Sequence, residues 1–262
     1  MSEDTHAGAV HLRVSGRIAS VVFDRPAARN AMTWDMYESL ERICTQLRDD
    51  PEVRVVTLRG AGGDAFVAGT DIAQFRDFSS GDDGVAYEQR IDAVIGLLES
   101  LPMPTAAIID GWTIGGGLAI ATACDFRLAT PASRFGVPIA RTLGNCLSVA
   151  NLARLEAAFG LHAVRRMLML ADLLDAPEAL ACGYLHQLCG PHELDAAAAA
   201  LCARLSELAP VTQSVVKEGL RRVVAQRMAD GDDLVRRTYG SADFHEGVAA
   251  FVAKRKPEWR GR

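Results

Sequence analysis

The sequence predicts an α/β fold: repeated β-β-α units followed by a helical C-terminal part. Three observations carry this. The short, β-branched run Val53–Leu58 enters a glycine-rich turn, Arg59–Gly63, and then Ala65–Ile72. A bounded apolar run of that length is a buried strand. Thr105–Asp110 repeats the pattern, passing through Gly111–Gly117 into an apolar helix, Leu118–Cys124. From Pro191 the chain changes character, and Asp195–Leu208, Pro210–Ala229 and Leu234–Arg255 all have helical periodicity. The expected division is an α/β core over 1–190 and a helical region over 191–262.

The remaining elements follow in order. Ala9–Val14 and Ile18–Phe23 flank Ser15–Gly16–Arg17, a hairpin signal. Pro26–Asn30 forms a loop. Thr33 caps a helix on which Met36, Leu40, Ile43 and Leu47 share one face. Asp71 caps a further helix, Ile72 to about Phe78. Gly81–Gly84 has the composition of a flexible break before a helix from Val85 to Leu101. Asp125–Ala129 and Arg134–Gly136 are short strands. Leu147–Ala171 is helical and broken at Gly160; its Met167–Leu170 cluster is assigned to the core. Asp175, Pro177 and Gly183 bracket a short helix, and Tyr184–Leu188 is a last strand.

The chain has 262 residues, 49% hydrophobic and 23% charged, with a net charge of -5. The acidic balance argues against a nucleic-acid partner, which calls for a basic surface. No apolar run approaches the ~20 residues of a membrane helix. The stretch Met1–Gly8 lacks a signal-peptide core. Six scattered cysteines without a CxxC pair fit reduced thiols in a cytoplasmic protein and no metal site.

The two glycine junctions suggest chemistry. Small residues at Ala68 and Gly69 allow a ligand close to the main chain. Each junction offers a backbone N–H near a helix start, and two such donors make an oxyanion hole.

Five motifs together resemble the enoyl-CoA hydratase/isomerase, or crotonase, superfamily over nearly the whole chain. They are Phe23–Ala31, Phe66–Ile72, Asp110–Gly111 with Gly115–Gly117, Cys124–Arg127 with Phe135–Pro138, and Ala250–Pro257. The resemblance implies a spiral α/β fold, a C-terminal region that builds homotrimers or homohexamers, and an acyl-CoA thioester as substrate. No cofactor is implied beyond coenzyme A as part of that substrate. By motif match the oxyanion N–H groups belong to Thr70 and Gly116. Ala27, Ala28 and Arg29, with Ala68, Gly69, Asp71 and Ile72, match positions that hold the nucleotide and pantetheine. Gly115 and Ile139 complete the binding positions, and Lys254 or Lys256 would meet CoA phosphates.

Two departures matter. A hydratase of this family carries one glutamate two residues after the glycine triplet and another after the proline of Phe–Gly–x–Pro. Here these positions are Ala119 and Ile139. Neither side chain transfers protons, so the two-glutamate hydration route is absent. Glu88 and Asp92, four apart on one helix, are candidates for the missing acid or base; the alternative is a solvated face with Arg90 nearby. Asn145 and Ser148 occupy a loop in which some members place an acid or nucleophile; the alternative is helix capping. Cys146 has no sequence-near histidine to activate it. The expected activity is an enolate-stabilising reaction on an acyl-CoA: hydration, isomerisation, thioester hydrolysis or C–C cleavage. The alternative is an acyl-CoA-binding scaffold with weakened catalysis. An RNA-binding role, known in one branch of the superfamily, fits the acidic charge least.

Overall fold

The computed structural model describes residues 8–261; all but the last residue of the Met1–Gly8 stretch lies outside them. Strand β1 (Ala9–Ser15) pairs antiparallel with β2 (Ile18–Asp24) through the expected hairpin. Helix α1 (Trp34–Arg48) starts where Thr33 Oγ1 accepts the Met36 N–H at 3.3 Å. It buries Met36, Tyr37, Leu40, Ile43, Cys44 and Leu47, the stripe expected from the periodicity.

Three β-β-α units then follow. The first is β3 (Val55–Gly60), β4 (Ala65–Val67) and α2 (Gly81–Glu99). The second is β5 (Thr105–Ile109), β6 (Trp112–Ile114) and α3 (Gly116–Ala123). The third is β7 (Phe126–Ala129), β8 (Arg134–Gly136) and α4 (Val149–Phe159). In each unit the first strand joins one sheet and the second strand another. With β9 (Leu174–Asp175) and β10 (Gln187–Leu188), the sheets run β1-β2-β3-β5-β7-β10 and β4-β6-β8-β9. The unit-to-unit pairings are parallel in both sheets, so the chain advances one strand per unit in each. That progression is the expected spiral. Its core includes Phe23, Met32, Tyr37, Leu58, Phe66 and Phe135, all fully buried.

Helices α5 (Leu161–Met169), α6 (Ala176–Ala181), α7 (Leu194–Glu207), α8 (Pro210–Ala225), α9 (Asp232–Tyr239) and α10 (Ala242–Val252) complete the chain. Among the described residues no helix is long and apolar enough to cross a membrane.

Several expectations are corrected. Gly81–Gly84 is the first turn of α2, held by Ser79 and Ser80 N–H groups that both donate to Asp83 Oδ2 at 2.8 Å. Its glycines serve close approach: a Cβ at Gly81 would strike the Arg236 carbonyl, and one at Gly84 the Tyr239 ring. Ile72–Phe75 is a short 3-10 turn that stops before Phe78. The Leu234–Arg255 stretch is two helices, because Gly240 ends α9 and Ser241 Oγ caps α10 by accepting from Phe244 N. Tyr184–Leu188 is a strand only at Gln187–Leu188. Met167 is buried, but Met169 and Leu170 are exposed: they lie at the end of α5, beyond its inward face.

The tight α2–α9 contact yields a paired prediction. Gly84→Ala should destabilise the protein by about 1–3 kcal/mol in urea unfolding, through overpacking against Tyr239. Gly96→Ala on the same helix meets nothing within 4 Å and should stabilise by about 0.5–1 kcal/mol. Effects of the same sign would contradict this packing.

Candidate active site

A cavity of about 890 Å³ opens where the first two units meet the 25–31 loop. That loop is fixed from below by Asn30, which is wholly buried. Asn30 Oδ1 accepts the Arg25 N–H, and Asn30 Nδ2 donates to the Ala61 and Ala65 carbonyls, each at 2.9 Å. The loop is then laced to the Ala68–Asp71 segment. Ala68 N donates to Arg29 O, Met32 N to Gly69 O and Asp71 N to Met32 O, at 2.9–3.0 Å. Asp71 Oδ1 caps the turn at Ala73 N, and Asp71 pairs with Arg25 at 2.8 Å.

This lacing orients Thr70. Met32 takes its bonds from the residues on either side of Thr70 in a parallel bridge, which turns the Thr70 N–H away from Met32. The Thr70 N–H donates to no described residue, nor does the Gly116 N–H at the first position of α3. The two junctions touch: a Cβ at Gly115 would lie 3.8 Å from Gly69 Cα, and one at Gly116 3.1 Å from Thr70 Oγ1. Two unpaired main-chain donors at adjacent glycine junctions suit an oxygen gaining negative charge. Behind them, Thr70 Oγ1 hydrogen-bonds Tyr37 and Tyr87 hydroxyls at 2.9 and 3.0 Å.

Ala27, Ala28, Arg29, Ala68, Gly69, Thr70, Asp71, Ile72, Gly115, Gly116, Ile139 and Asn145 all line this cavity, as do Glu88 and Ala119. Asp92 and Lys256 do not. Asp92 faces Arg154, bonded to it at 2.8 Å beside Glu99, because one helical turn carries it past the cavity. Lys254 is the C-terminal lysine that lines the cavity.

Glu88 is not on a solvated face: it is 4% exposed. Tyr239 Oη donates to its Oε1 at 2.7 Å and Ser148 N to its Oε2 at 2.9 Å. Asn145 Nδ2 donates to the Tyr239 hydroxyl at 3.1 Å. Burial raises the Glu88 carboxyl from 4.5 to about 7, against the lowering effect of those two bonds. The other acid lining the cavity, Asp71, is paired with Arg25. Ser148 is the α4 cap, its Oγ accepting from Asn151 N at 3.1 Å. Burial pushes the Cys146 thiol to about 11, which leaves it protonated. No three His, Cys, Asp or Glu side chains among the described residues gather as a metal site.

Tyr87, Tyr239 and Asn151 escaped the sequence reading. Tyr239 lies 151 residues from Glu88, and no local spacing links them. Tyr87 adjoins Glu88 in sequence, and an aromatic beside a candidate acid was the available signal.

The Glu88 environment sets a pH dependence. The carboxyl holds its proton more tightly folded than unfolded. Its contribution to stability is therefore full below about pH 4.5 and is lost as the pH rises to about 7. The stability of wild type minus that of Glu88→Gln should fall across this window in urea titrations. A flat difference would show a carboxyl with an ordinary affinity for protons.

Comparison with known proteins agrees with this fold. The Enoyl-CoA hydratase/isomerase family matches residues 13–262. The chain is 29% identical over 253 residues to a short-chain-enoyl-CoA hydratase of Clostridium acetobutylicum, covering 95% of this chain and 96% of that protein. It is 31% identical over 270 residues to a carnitinyl-CoA dehydratase of Proteus mirabilis, covering 97% and 98%. Among solved structures it resembles methylmalonyl-CoA decarboxylase in complex with 2-nitronate-propionyl-CoA, with a TM-score of 0.88 at 26% identity, covering 97% and 98%. With the fold, the paired glycine junctions and a match over nearly its whole length, the chain belongs to the enoyl-CoA hydratase/isomerase family.

Proposed function

We propose that this protein is an acyl-CoA enzyme that forms a thioester enolate and moves one proton with one carboxyl group, Glu88. The carrying observation is that Glu88 is the acid lining the cavity without a cationic partner, while Ala119 and Ile139 present apolar surface there. The thioester oxygen would sit between the Thr70 and Gly116 N–H groups. Arg29 and Lys254 at the cavity carry the positive charge that CoA phosphates call for. The relatives' names and the ligand of the solved neighbour support a CoA thioester.

A single carboxyl suits double-bond isomerisation. The Glu88 carboxylate takes a proton from the α-carbon, the electron pair moves into a dienolate held by the two N–H groups, and the carboxylic acid returns the proton to the γ-carbon. A proton affinity near neutrality makes both halves accessible. Hydration needs a second group to activate water, and Ala119 and Ile139 offer none. A second reading, loss of CO₂ from an acyl group carboxylated on its α-carbon, is favoured by the likeness to methylmalonyl-CoA decarboxylase. It would use Glu88 only as an acid.

The proposal includes no cofactor beyond CoA in the substrate, a cytoplasmic setting and a homotrimer or homohexamer. The six cysteines are free, which supports a reducing compartment. Self-association is supported by α8, which buries no residue and exposes Val211, Val215, Leu220 and Val223. The division of the chain at 190/191 follows the same proposal, with 191–262 as the assembling part.

Activity tests this directly. Wild type should isomerise a 3-enoyl-CoA and exchange α-protons of butyryl-CoA in D₂O, and should hydrate crotonyl-CoA far more slowly. Glu88→Gln should slow exchange by roughly 10²–10⁴-fold. Undiminished exchange in that variant would remove Glu88 from the chemistry. Light scattering should give a trimeric or hexameric mass, and a monomer would refute the assembly.

A further inference from the structure

Three buried hydroxyls meet at the paired N–H groups. Tyr37 comes from α1, Thr70 from the first glycine junction and Tyr87 from α2. Thr70 Oγ1 lies 2.9 Å from the Tyr37 hydroxyl and 3.0 Å from the Tyr87 hydroxyl. Among the described residues neither phenol has a further hydrogen-bond partner, and nor has Thr70 Oγ1. Three hydroxyl hydrogens therefore serve two hydrogen bonds, and one hydrogen has no protein acceptor.

Burial and acidity decide which hydrogen that is. Tyr37 is wholly buried and does not line the cavity. If it accepted from Thr70, its own hydrogen would be buried unpaired, which costs stability. Tyr37 is therefore the donor. A phenol is a stronger acid than an aliphatic alcohol, so Tyr87 is the better donor at the second contact too. Burial keeps both phenols protonated, pushing Tyr37 up to about 12 and Tyr87 well above its ordinary value. A threonine hydroxyl has two lone pairs, and the two phenols occupy both. The Thr70 hydrogen then points away from them, polarised by both donations. Thr70 lines the cavity, and its N and Oγ1 are three bonds apart, so one substrate oxygen can reach both.

We propose that the Thr70 hydroxyl is a third donor to the thioester oxygen, beside the two N–H groups, with Tyr37 and Tyr87 as the positioning residues that aim it. This rests on the acyl-CoA enolate reading above and adds a catalytic side chain to it.

The test compares wild type, Thr70→Val and Thr70→Ser in two measurements on the full-length protein. One is α-proton exchange of butyryl-CoA in D₂O; the other is the infrared carbonyl band of bound, ¹³C-labelled butyryl-CoA. Valine removes the hydroxyl and keeps the N–H. Thr70→Val should lower kcat for exchange by roughly 10–100-fold, the worth of one hydrogen bond to a charged oxygen, and change KM much less. Its carbonyl band should move to higher frequency. Thr70→Ser should retain both the rate and the band. Tyr87→Phe should move the band less than Thr70→Val, because Thr70 keeps its hydroxyl and one phenol. If Thr70→Val does not fold, the triple variant Tyr37→Phe/Thr70→Val/Tyr87→Phe removes all three hydroxyls together, strands none, and should show the same loss. An unchanged band without the Thr70 hydroxyl, or a larger shift in Tyr87→Phe, would overturn the assignment while leaving the acyl-CoA reading intact. Failure of wild type to bind butyryl-CoA or free CoA in calorimetry would instead remove the acyl-CoA reading, and this inference with it.

Discussion

The centre of this molecule depends on main chain lying directly against main chain. Gly117 packs so closely on β4 that a Cβ there would strike the Val67 carbonyl, and Gly116 has no room for one beside the Tyr37 hydroxyl. Only glycine permits that approach. The contact brings the start of α3 beside the Ala68–Thr70 segment, and so places two unpaired N–H groups at one cavity. The lacing of residues 29–32 to 68–71 and the Asn30 side chain below it hold one half of the contact. The β6–β8 pairing, with Gly115 N donating to Gly136 O at 3.0 Å, holds the other. Backbone donors cannot be deleted by substituting their own side chains, so the hole is compatible with many chemistries on the same fold.

The proposed proton-handling group stands on a different wall. Ala119 and Ile139 present apolar surface to the cavity. Glu88 comes from a different helix and enters between Tyr239 and Ser148. Desolvation and hydrogen bonding oppose each other there, and desolvation wins, leaving a carboxyl poised between its two forms near neutral pH. The Tyr239 hydroxyl supplies a bond that favours the charged form, so the aromatic cluster around Phe75, Tyr87 and Phe244 bears on the acid as well as on the core.

Local pattern made the strands, the glycine junctions and the α1 stripe legible in the sequence, because each is fixed within about ten residues. That Ala27–Arg29 and Ala68–Ile72 would come together was legible through motif order, and both segments line the cavity. The Glu88 setting was not, since its partners Tyr239 and Ser148 are 151 and 60 residues away. Gly81 and Gly84 misled for the same reason: glycine marks both flexibility and close approach, and only the position of α9 distinguishes them. Asp92, one turn after Glu88, shows the limit of helical spacing. The four-residue step puts it on the same side of α2 but level with Arg154 and not with the cavity.

The most direct test of the paired N–H arrangement is the infrared stretch of a bound thioester whose carbonyl carbon is ¹³C-labelled. If Thr70 and Gly116 both donate to that oxygen, the band of bound butyryl-CoA should move to clearly lower frequency than in water. A bound band at or above its position in water would contradict the account, because the carbonyl would then lie outside the junction on which the rest of the site is built.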